Sequence, residues 1–311
     1  SAYGSTYTPI INFGQKPFKF SPPDGFLPLN AANVRPEKVI TRPDKFVGVK
    51  TYTGITQSPR TISLPITPDL IWVKNRDDTD GLYVFDTVRG DNKNLRTDDT
   101  YDESAVSGAS HGIISTIGYN SFTVKNGGAT GSNVGSTGTE DYVAWFWKAG
   151  GSGDGKAFWK DGVGYASAAA AGLSGGDRAL TGCSVNTETG FSIIGWNNSN
   201  GTNPSGAKVR HGLNQIPDLV IYKDRDSGSS QWAVKMETFS NPVRDELYLE
   251  TNQAKTTAGV DLYFRDSDYI GHRETSIGGN GGKIIAYCWH NVPGLQKFGS
   301  FTGNNSTDGA F

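Results

Sequence analysis

Residues 68–77 read Pro68-Asp69-Leu70-Ile71-Trp72-Val73-Lys74-Asn75-Arg76-Asp77, and this stretch recurs later in the chain as Pro217-Asp218-Leu219-Val220-Ile221-Tyr222-Lys223-Asp224-Arg225-Asp226. Each copy has a turn, then a run of β-branched and aromatic residues, then a charged exit, which is typical of a buried strand. Residues 141–148 and 282–290 match each other in the same order, because each is a hydrophobic run with an Ala three residues before a Trp. Two matched strands in one order indicate an internal duplication.

Composition limits the fold class. The chain has 311 residues, with 41 Gly, 14 Pro, one Met and a charged fraction of 19%. This composition is typical of a turn-rich protein with few helix formers, and the length is sufficient for two domains that each bury a core. Short strands separated by Gly, Asn and Asp turns recur through residues 46–149, as in a β-sandwich. We therefore predict an all-β fold built from tandem β-sandwich repeats.

Charge, cysteine content and hydropathy exclude several classes of protein. The net charge is −2 with both signs interspersed, so no basic surface for nucleic acid is expected. Cys183 and Cys288 are the only cysteines, and they lack the spacing of a disulfide framework or a zinc site. No segment approaches the roughly 18 apolar residues of a membrane span. We expect no insertion into a membrane and no cofactor, with Ca²⁺ as the one ion to consider.

Six segments carry a resemblance to a known family. They include Asn12-Phe13-Gly14-Gln15-Lys16-Pro17-Phe18 and Phe85-Asp86-Thr87-Val88-Arg89-Gly90, and the others are residues 69–76, 161–166, 179–186 and 190–194. Together they resemble repeat-bearing virion proteins, of a tail-fibre or appendage type, from marine bacteriophages and cyanophages. The resemblance implies repeats with a concanavalin-like or jelly-roll sandwich fold. It also implies that the first segment is the closing strand of a preceding SPRY-like domain.

The second copy departs from this family pattern at one motif. Residues 236–240 stand where the first copy has residues 85–90, and they lack its Asp and its Arg. Any role of Asp86 or Arg89 is therefore expected in the first repeat alone.

The duplication, the composition and the resemblance together predict six segments. They are a closing strand of a preceding SPRY-like domain at 1–28, a linker at 29–45, a first β-sandwich repeat at 46–150, a Gly/Ala-rich bridge at 151–189, a second β-sandwich repeat at 190–294, and the start of a third repeat or a donated strand at 295–311. Both ends resemble the edges of further domains. The strand within residues 7–20 needs a partner, so it is expected to pair with another domain or another chain.

Four aromatic residues lie in the second pair of matched strands. Trp145, Trp147, Tyr287 and Trp289 alternate with other apolar residues, so both faces of these strands are hydrophobic. A strand that is apolar on both faces lies in the middle of a packed structure. We predict that these residues belong to the core and do not form a platform for a ligand.

Trp159 and Trp196 lie outside the matched strands and neighbour Gly-rich or Asn-rich turns. Exposed aromatic rings stack on the faces of sugars, so both residues are candidates for glycan contact. Packing in the core is the alternative for each.

Clustered carboxylates raise the question of calcium. Asp98, Asp99 and Asp102, followed by Glu103, could supply the oxygen ligands that Ca²⁺ prefers. They lack the spacing and the turn Gly of a known calcium loop, so a solvated acidic loop is the alternative.

Lectin-like sandwiches also host glycosidases that use two carboxylates, and Glu246 and Glu250 lie on one face of a predicted strand. Side chains four residues apart on a strand are separated by about 13 Å. A glycosidase pair needs about 5 to 9.5 Å. The spacing argues against catalysis by this pair, and no other catalytic arrangement is predicted.

These observations favour a non-enzymatic virion protein, a segment of a tail fibre or appendage that contacts the host surface through its loops. The expected partners are other virion proteins, further copies of this chain in a homo-oligomer, and a glycan or receptor on the host cell. The expected location is the surface of the phage particle. A capsid or neck decoration protein is the alternative, and a polysaccharide-active enzyme or a free lectin is a third hypothesis.

Overall fold

The structure is a computed structural model in which the described residues are 12, 16, 18–20, 39–55, 58–79, 81–103, 112–125, 134, 139–199, 207–261, 263–273, 277–279, 281–301. The chain divides into two compact units, Ser1–Val39 and Ile40–Phe311. In the first unit, Asn12 and Lys16 exchange two hydrogen bonds of 3.0 and 3.3 Å. Most of the closing strand predicted at 1–28, and most of the linker predicted at 29–45, lie outside the described residues.

Strands make up almost all the regular structure of the described residues, together with one 3-10 helix at Pro43–Lys45. The strands are β1 (Val47–Thr53), β2 (Arg60–Ser63), β3 (Leu70–Asn75), β4 (Tyr83–Asp86), β5 (Leu95–Arg96), β6 (Ile113–Gly118), β7 (Ser121–Lys125), β8 (Asp141–Trp147), β9 (Phe158–Lys160), β10 (Val163–Tyr165), β11 (Leu180–Asn186), β12 (Phe191–Asn197), β13 (Ala207–Arg210), β14 (Leu219–Asp224), β15 (Ala233–Met236), β16 (Asp245–Tyr248), β17 (Thr256–Thr257), β18 (Tyr263–Arg265), β19 (Tyr269–His272) and β20 (Lys283–Trp289). The prediction of an all-β fold is confirmed.

The first repeat consists of two packed antiparallel sheets. Five strands in the order β1-β8-β3-β4-β5 face three strands in the order β2-β7-β6. The core between the two sheets contains Ile71, Val73, Phe85 and Phe146 from the larger sheet and Phe122 from the smaller one. Successive side chains of a strand point to opposite faces, so this core uses only one face of the larger sheet.

The second repeat has the same architecture. Its large sheet contains β12-β20-β14-β15-β16, the counterpart of β1-β8-β3-β4-β5, and it faces β13-β19-β18, the counterpart of β2-β7-β6. The register is also conserved between the copies, because Leu70 pairs with Trp147 in the first repeat and Leu219 pairs with Trp289 in the second. The sequence duplication is therefore a duplication of structure.

The segment 151–189, expected as a bridge, is part of the second repeat. It contributes β9, β10 and β11, which extend the large sheet beyond β12; with β17 at the opposite edge the sheet has nine strands. β11 pairs with β12 in antiparallel fashion and with β9 in parallel fashion. The Gly-rich composition suggested a linker, but one of these glycines permits close packing: a Cβ on Gly176 would lie 2.6 Å from the carbonyl oxygen of Lys208.

A third core joins the two repeats. The outer faces of the two large sheets meet there, and the contact includes Leu70 and Val84 from the first repeat and Trp232, Ile285 and Tyr287 from the second. The described residues of the unit Ile40–Phe311 therefore form four stacked sheets. The prediction of strands buried on both faces is confirmed for β20, in which all residues but the first are buried. In β8, buried and half-buried residues alternate, so only one face is fully covered.

One polar cluster is buried in the joint between the repeats. Arg89 Nε donates to Asp86 Oδ2 at 2.5 Å, and Tyr287 Oη donates to the same oxygen at 2.7 Å. Removing one partner would leave a buried charge without compensation, so the three groups depend on each other. Met236 occupies the position of Asp86 in the second repeat, so this role belongs to the first repeat alone.

Each copy of the repeated stretch begins with an aspartate that clamps the end of a neighbouring strand. Asp69 Oδ2 accepts the backbone N–H groups of Ala149 and Gly151 at 2.8 and 3.2 Å. Asp218 Oδ2 accepts the backbone N–H group of Asn291 at 2.7 Å. Ala149 and Asn291 occupy equivalent positions, two residues after the matched Trp of each repeat.

A second aspartate holds the other end of the same strand. Asp77 Oδ2 accepts the N–H of Asp141 at 2.6 Å, and Asp226 Oδ2 accepts the N–H of Lys283 at 3.3 Å. Both acceptors therefore fix the first residue of the long strand that pairs with the repeated stretch. Each copy of the repeated stretch thus carries an apolar strand together with two carboxylates, and these carboxylates fix the register of the neighbouring long strand, β8 or β20.

The described part of the segment 295–301 contains no strand, although a third repeat or a donated strand was predicted at 295–311. It forms an isolated bridge between Val292 and Gln296. Phe298 then lies against Trp289, with ring centroids 6.3 Å apart, and packs onto the joint between the repeats. Residues 302–311 lie outside the described residues.

We predict that Asp69→Ala destabilises the protein by about 2 to 4 kcal/mol, because it leaves the buried N–H group of Ala149 and the half-buried N–H group of Gly151 without an acceptor. Such a loss costs about 1 to 3 kcal/mol for a buried group and less for a partly solvated one. Urea unfolding followed by tryptophan fluorescence would measure this loss. Glu188→Ala, at an exposed turn, is the control and should change the unfolding free energy by less than about 0.5 kcal/mol. Equal unfolding free energies for the two variants would contradict the clamp.

Candidate functional site

Comparison of the two repeats locates a place where they differ chemically. The strand registers place Ala233 at the position of Tyr83 and Lys235 at the position of Phe85. In the first repeat both rings are buried, at 1% and 2% exposure, and fill the core. The second repeat has a small residue and a cation there. A large-to-small change opens space, and a buried cation needs partners, so this part of the second sandwich must be arranged differently.

A cavity of about 260 Å³ occupies this position in the second repeat. It lies among β15, β16, β18 and the turn that precedes β15. Its walls are mostly polar, and they are formed by Ser229, Ser230, Gln231, Ala233, Glu246, Tyr248, Tyr263 and Ile277. Ser229 is exposed, so the cavity reaches solvent along this turn.

Lys235 lies beside this cavity with only 1% of its surface exposed. Its Nζ donates to the carbonyl oxygen of Asp245 at 2.6 Å and to Glu246 Oε2 at 3.4 Å. The ammonium group is also 3.3 Å from the centroid of the Tyr263 ring, which is a cation–π contact. Burial lowers the pKa of Lys235 to about 7, although the Glu246 carboxylate opposes this shift.

Glu246 is the acceptor at the centre of the cluster. Tyr248 Oη donates to its Oε1 at 2.5 Å, and Tyr263 Oη donates to its Oε2 at 2.8 Å. Burial and the adjacent Glu246 raise the pKa of both tyrosines well above the usual value, so both stay protonated and remain donors. Two phenols and one ammonium therefore hold the carboxylate in one orientation, with free lone pairs for a further donor.

The arrangement is suited to binding a polar molecule. Carboxylate, phenol, hydroxyl and amide groups converge on one small volume, and Ile277 and the tyrosine rings supply apolar surface. Glu250 does not complete a pair of catalytic carboxylates with Glu246, because its Oε2 accepts the backbone N–H of Trp232 at 3.1 Å.

Trp196 is in the core, so the prediction of glycan contact is wrong for this residue. It has 0% exposure and packs against Tyr222 and His272, with ring centroids 6.4 and 5.7 Å away. The Asn-rich turn after it suggested an exposed ring. Its side chain instead points to the inner face of β12, which β11 and β20 flank on both edges.

Trp159 is half-buried on β9, near an edge of the large sheet. Its ring lies against Gly151 and Gly164, where an added Cβ would come within 2.9 Å of it. Its Nε1 donates to the carbonyl oxygen of Lys156 at 3.1 Å. Trp159 and Trp196 pair with positions of β11 that are four residues apart, or about 13 Å along the strand, so they do not form one site. Glycan contact by Trp159 remains a prediction.

The three aspartates considered for calcium do not converge. Asp98 pairs with Arg96 at 2.8 Å, and Asp99 Oδ1 accepts the N–H of Thr100 at 2.6 Å. Within the part of the chain that the structure describes, no group of three or more His, Cys, Asp or Glu residues could hold a metal ion. The loop that contains Asp102 packs against the second repeat, which explains its polar composition.

A second cavity, of about 290 Å³, lies in the joint between the repeats. Trp72, Trp147 and Trp289 form its walls with other apolar residues, and Gln296 adds a polar side chain. A molecule with many hydroxyl groups would lose its hydrogen bonds there. We therefore place the candidate site in the second repeat.

Analysis of the sequence did not predict Lys235, Tyr248 and Tyr263 as site residues. The available signal was the difference between the copies: residues 83–86 are Tyr-Val-Phe-Asp, whereas residues 233–236 are Ala-Val-Lys-Met. The partners of Lys235 come from β16 and β18, which only the fold brings together.

We predict that the amine of Lys235 titrates near pH 7, because burial disfavours its charged form. The unfolded chain keeps this proton up to about pH 10.5, so between about pH 7 and pH 10.5 this group makes the unfolding free energy rise with pH. NMR of the ¹³Cε–Hε resonances of lysine, as a function of pH, would measure the titration. Lys235→Met assigns the resonance, and Lys223→Met separates it from Lys223, whose pKa burial lowers to about 8.

A Lys235 resonance that titrates with a pKa near the usual value of about 10.4 would contradict the burial of this amine.

Comparison with known proteins identifies a family for this chain. No curated protein and no solved structure matches it, and no helix among the described residues is long and apolar enough to cross a membrane. One family model matches residues 42–311, a range that includes both repeats and most of the 311 residues. The chain therefore belongs to the family described as "Domain of unknown function (DUF7483)".

Proposed function

We propose that this chain is a non-enzymatic structural segment of a phage virion that binds a saccharide in the cavity of its second repeat. The observation that carries the proposal is the cluster of Lys235, Glu246, Tyr248 and Tyr263, which is polar, held by hydrogen bonds and adjacent to a cavity that opens to solvent.

The chemistry of the cavity supports a sugar as the ligand. Glu246 and the Gln231 amide can bind hydroxyl groups, and the Tyr248 ring and Ile277 can cover an apolar sugar face. The volume of about 260 Å³ is slightly below the roughly 300 to 1,000 Å³ of pockets for drug-sized ligands, which suits a single sugar residue. A ligand without hydroxyl groups would leave the polar walls unpaired.

The virion role has two kinds of support. The sequence resembles repeat-bearing virion proteins over segments in both repeats, and the stacked sheets form a rigid scaffold of the kind that an appendage requires. Within the particle, the expected partners are other virion proteins and further copies of this chain. A decoration protein of the capsid or neck would use the same scaffold without a host contact.

We predict that the double substitution Ala233→Tyr with Lys235→Phe abolishes saccharide binding, because it restores the side chains that fill this position in the first repeat. Saturation-transfer NMR against a panel of neutral and acidic monosaccharides, followed by calorimetry, would measure affinity. A loss of at least tenfold, about 1.4 kcal/mol, is expected. Tyr248→Phe keeps the ring and removes one donor to Glu246, so it should weaken binding without loss of folding.

Trp159→Ala tests the other candidate for glycan contact, a half-buried aromatic residue near an edge of the same sheet. Its binding should equal that of the unmodified chain. Loss of binding in this variant alone would place the glycan contact at Trp159, and absence of binding by the unmodified chain would contradict the saccharide proposal. Turnover of a polysaccharide would instead favour an enzyme.

The location of the chain is tested separately. We predict that gold-labelled antibody against this chain marks the distal part of tail appendages on intact phage particles in electron micrographs. Label over the capsid or neck would identify a decoration protein. Absence of label from all particles would contradict both virion roles and leave a free lectin as the better hypothesis.

A further inference from the structure

The turn between β14 and β15 forms one wall of the saccharide cavity. Ser229, Ser230 and Gln231 line the cavity from this turn. At the start of the turn, Asp226 N–H donates to Asp224 Oδ1 at 2.9 Å. The two hydrogen bonds of backbone N–H groups nearer its centre are long: Ser230 N–H donates to Ser227 O at 3.4 Å, and Ser229 N–H donates to Ser227 Oγ at 3.4 Å. Bonds of this length are weak, so the position of the turn depends on contacts outside it.

The main outside contact is the ammonium group of Lys223, a residue with 0% exposure. Its Nζ donates to Ser230 O at 2.5 Å and to Thr100 O at 2.8 Å. Ser230 belongs to the cavity wall, and Thr100 belongs to the first repeat. A buried ammonium that loses one of these carbonyls keeps a donor without an acceptor, which is unfavourable, so Lys223 holds the two carbonyls together. Thr100 Oγ1 also donates to Gly228 O at 2.8 Å, in the same turn.

Both ends of the turn are fixed by the same loop of the first repeat. On the side of β14, Arg225 makes a two-bond contact with Glu103, at 2.7 and 3.1 Å, and a bidentate pair of this kind fixes geometry. On the side of β15, Trp232 Nε1 donates to Arg96 O at 2.5 Å. Residues 96–103 therefore contact the turn at its beginning, middle and end.

The duplication provides an internal comparison. Lys74 and Arg76 are the counterparts of Lys223 and Arg225 in the repeated stretch. Lys74 Nζ donates to Asp78 O at 3.0 Å, which lies in its own turn, and Arg76 is exposed. In the first repeat, Lys74 thus supports the turn that follows its own strand. In the second repeat, Lys223 and Arg225 contact the other repeat.

We infer that the saccharide cavity is built by both repeats, with Lys223, Thr100 and Glu103 as positioning residues that hold its wall from outside. The expected effect on saccharide affinity rests on the proposed function, whereas the expected effect on the mobility of the turn does not depend on a ligand. The first repeat then acts as a support for the binding site of the second.

The test compares Lys223→Met with Lys74→Met in the full chain. Methionine keeps most of the side-chain volume and removes the ammonium, so Lys223→Met should free the turn whereas Lys74→Met should not affect it. NMR relaxation of residues 228–231 is the first measurement: their backbone order parameters should fall from about 0.85 to below about 0.6 in Lys223→Met only. Unchanged order parameters would overturn the inference.

Saccharide affinity is the second measurement, and it separates the two proposals. We expect a fall of about tenfold for Lys223→Met and no change for Lys74→Met. If the unmodified chain binds no saccharide, the proposed function fails, but the order parameters still decide whether Lys223 positions the turn.

If Lys223→Met does not fold, Thr100→Val removes only the bond to Gly228 and should raise the mobility of residues 228–231. Equal mobility of these residues in Thr100→Val and in the unmodified chain would overturn the inference.

Discussion

Two β-sheets that are apolar on both faces must each be covered on both faces, and this constraint organises the unit Ile40–Phe311. Each large sheet buries its inner face against a three-stranded sheet and part of its outer face against the other large sheet. The joint is therefore a hydrophobic core in its own right, and burial of its apolar side chains stabilises both repeats at once. The charged cluster of Asp86, Arg89 and Tyr287 lies inside this core, where exact partner geometry is required.

Much of this architecture could be predicted from the sequence, and the limits have physical causes. The repeated stretch and the Ala and Trp residues of β8 and β20 indicated the duplication, because strand burial leaves a local pattern. The prediction for Trp196 was wrong, because the local sequence does not show which face of β12 another part of the fold covers. The segment 151–189 was misread because Gly supports both linkers and close packing, and local composition does not distinguish them.

The cavity of the second repeat illustrates a further limit of prediction from the sequence. Lys235 is an ordinary charged residue in the sequence, and its neighbours Glu246 and Tyr263 come from other strands. The duplication compensates in part, because the first copy shows which side chains, Tyr83 and Phe85, fill the same backbone positions when no cavity is formed. Lys235 occupies the position of Phe85 with the same strand register, but the side chains around it differ in chemistry from those of the first repeat.

The joint between the repeats also limits how further repeats could be added to this protein. Equivalent residues of the two copies meet there, with Leu70 and Leu219 in the same core, Val84 with Val234, and Trp147 with Trp289. A contact between the same faces of two copies is isologous, and such a contact closes after two members, as in a two-fold dimer. The pair of repeats is thus a closed pseudo-dimer in one chain. An additional repeat could not join through this face, so a longer array would have to be assembled from pairs.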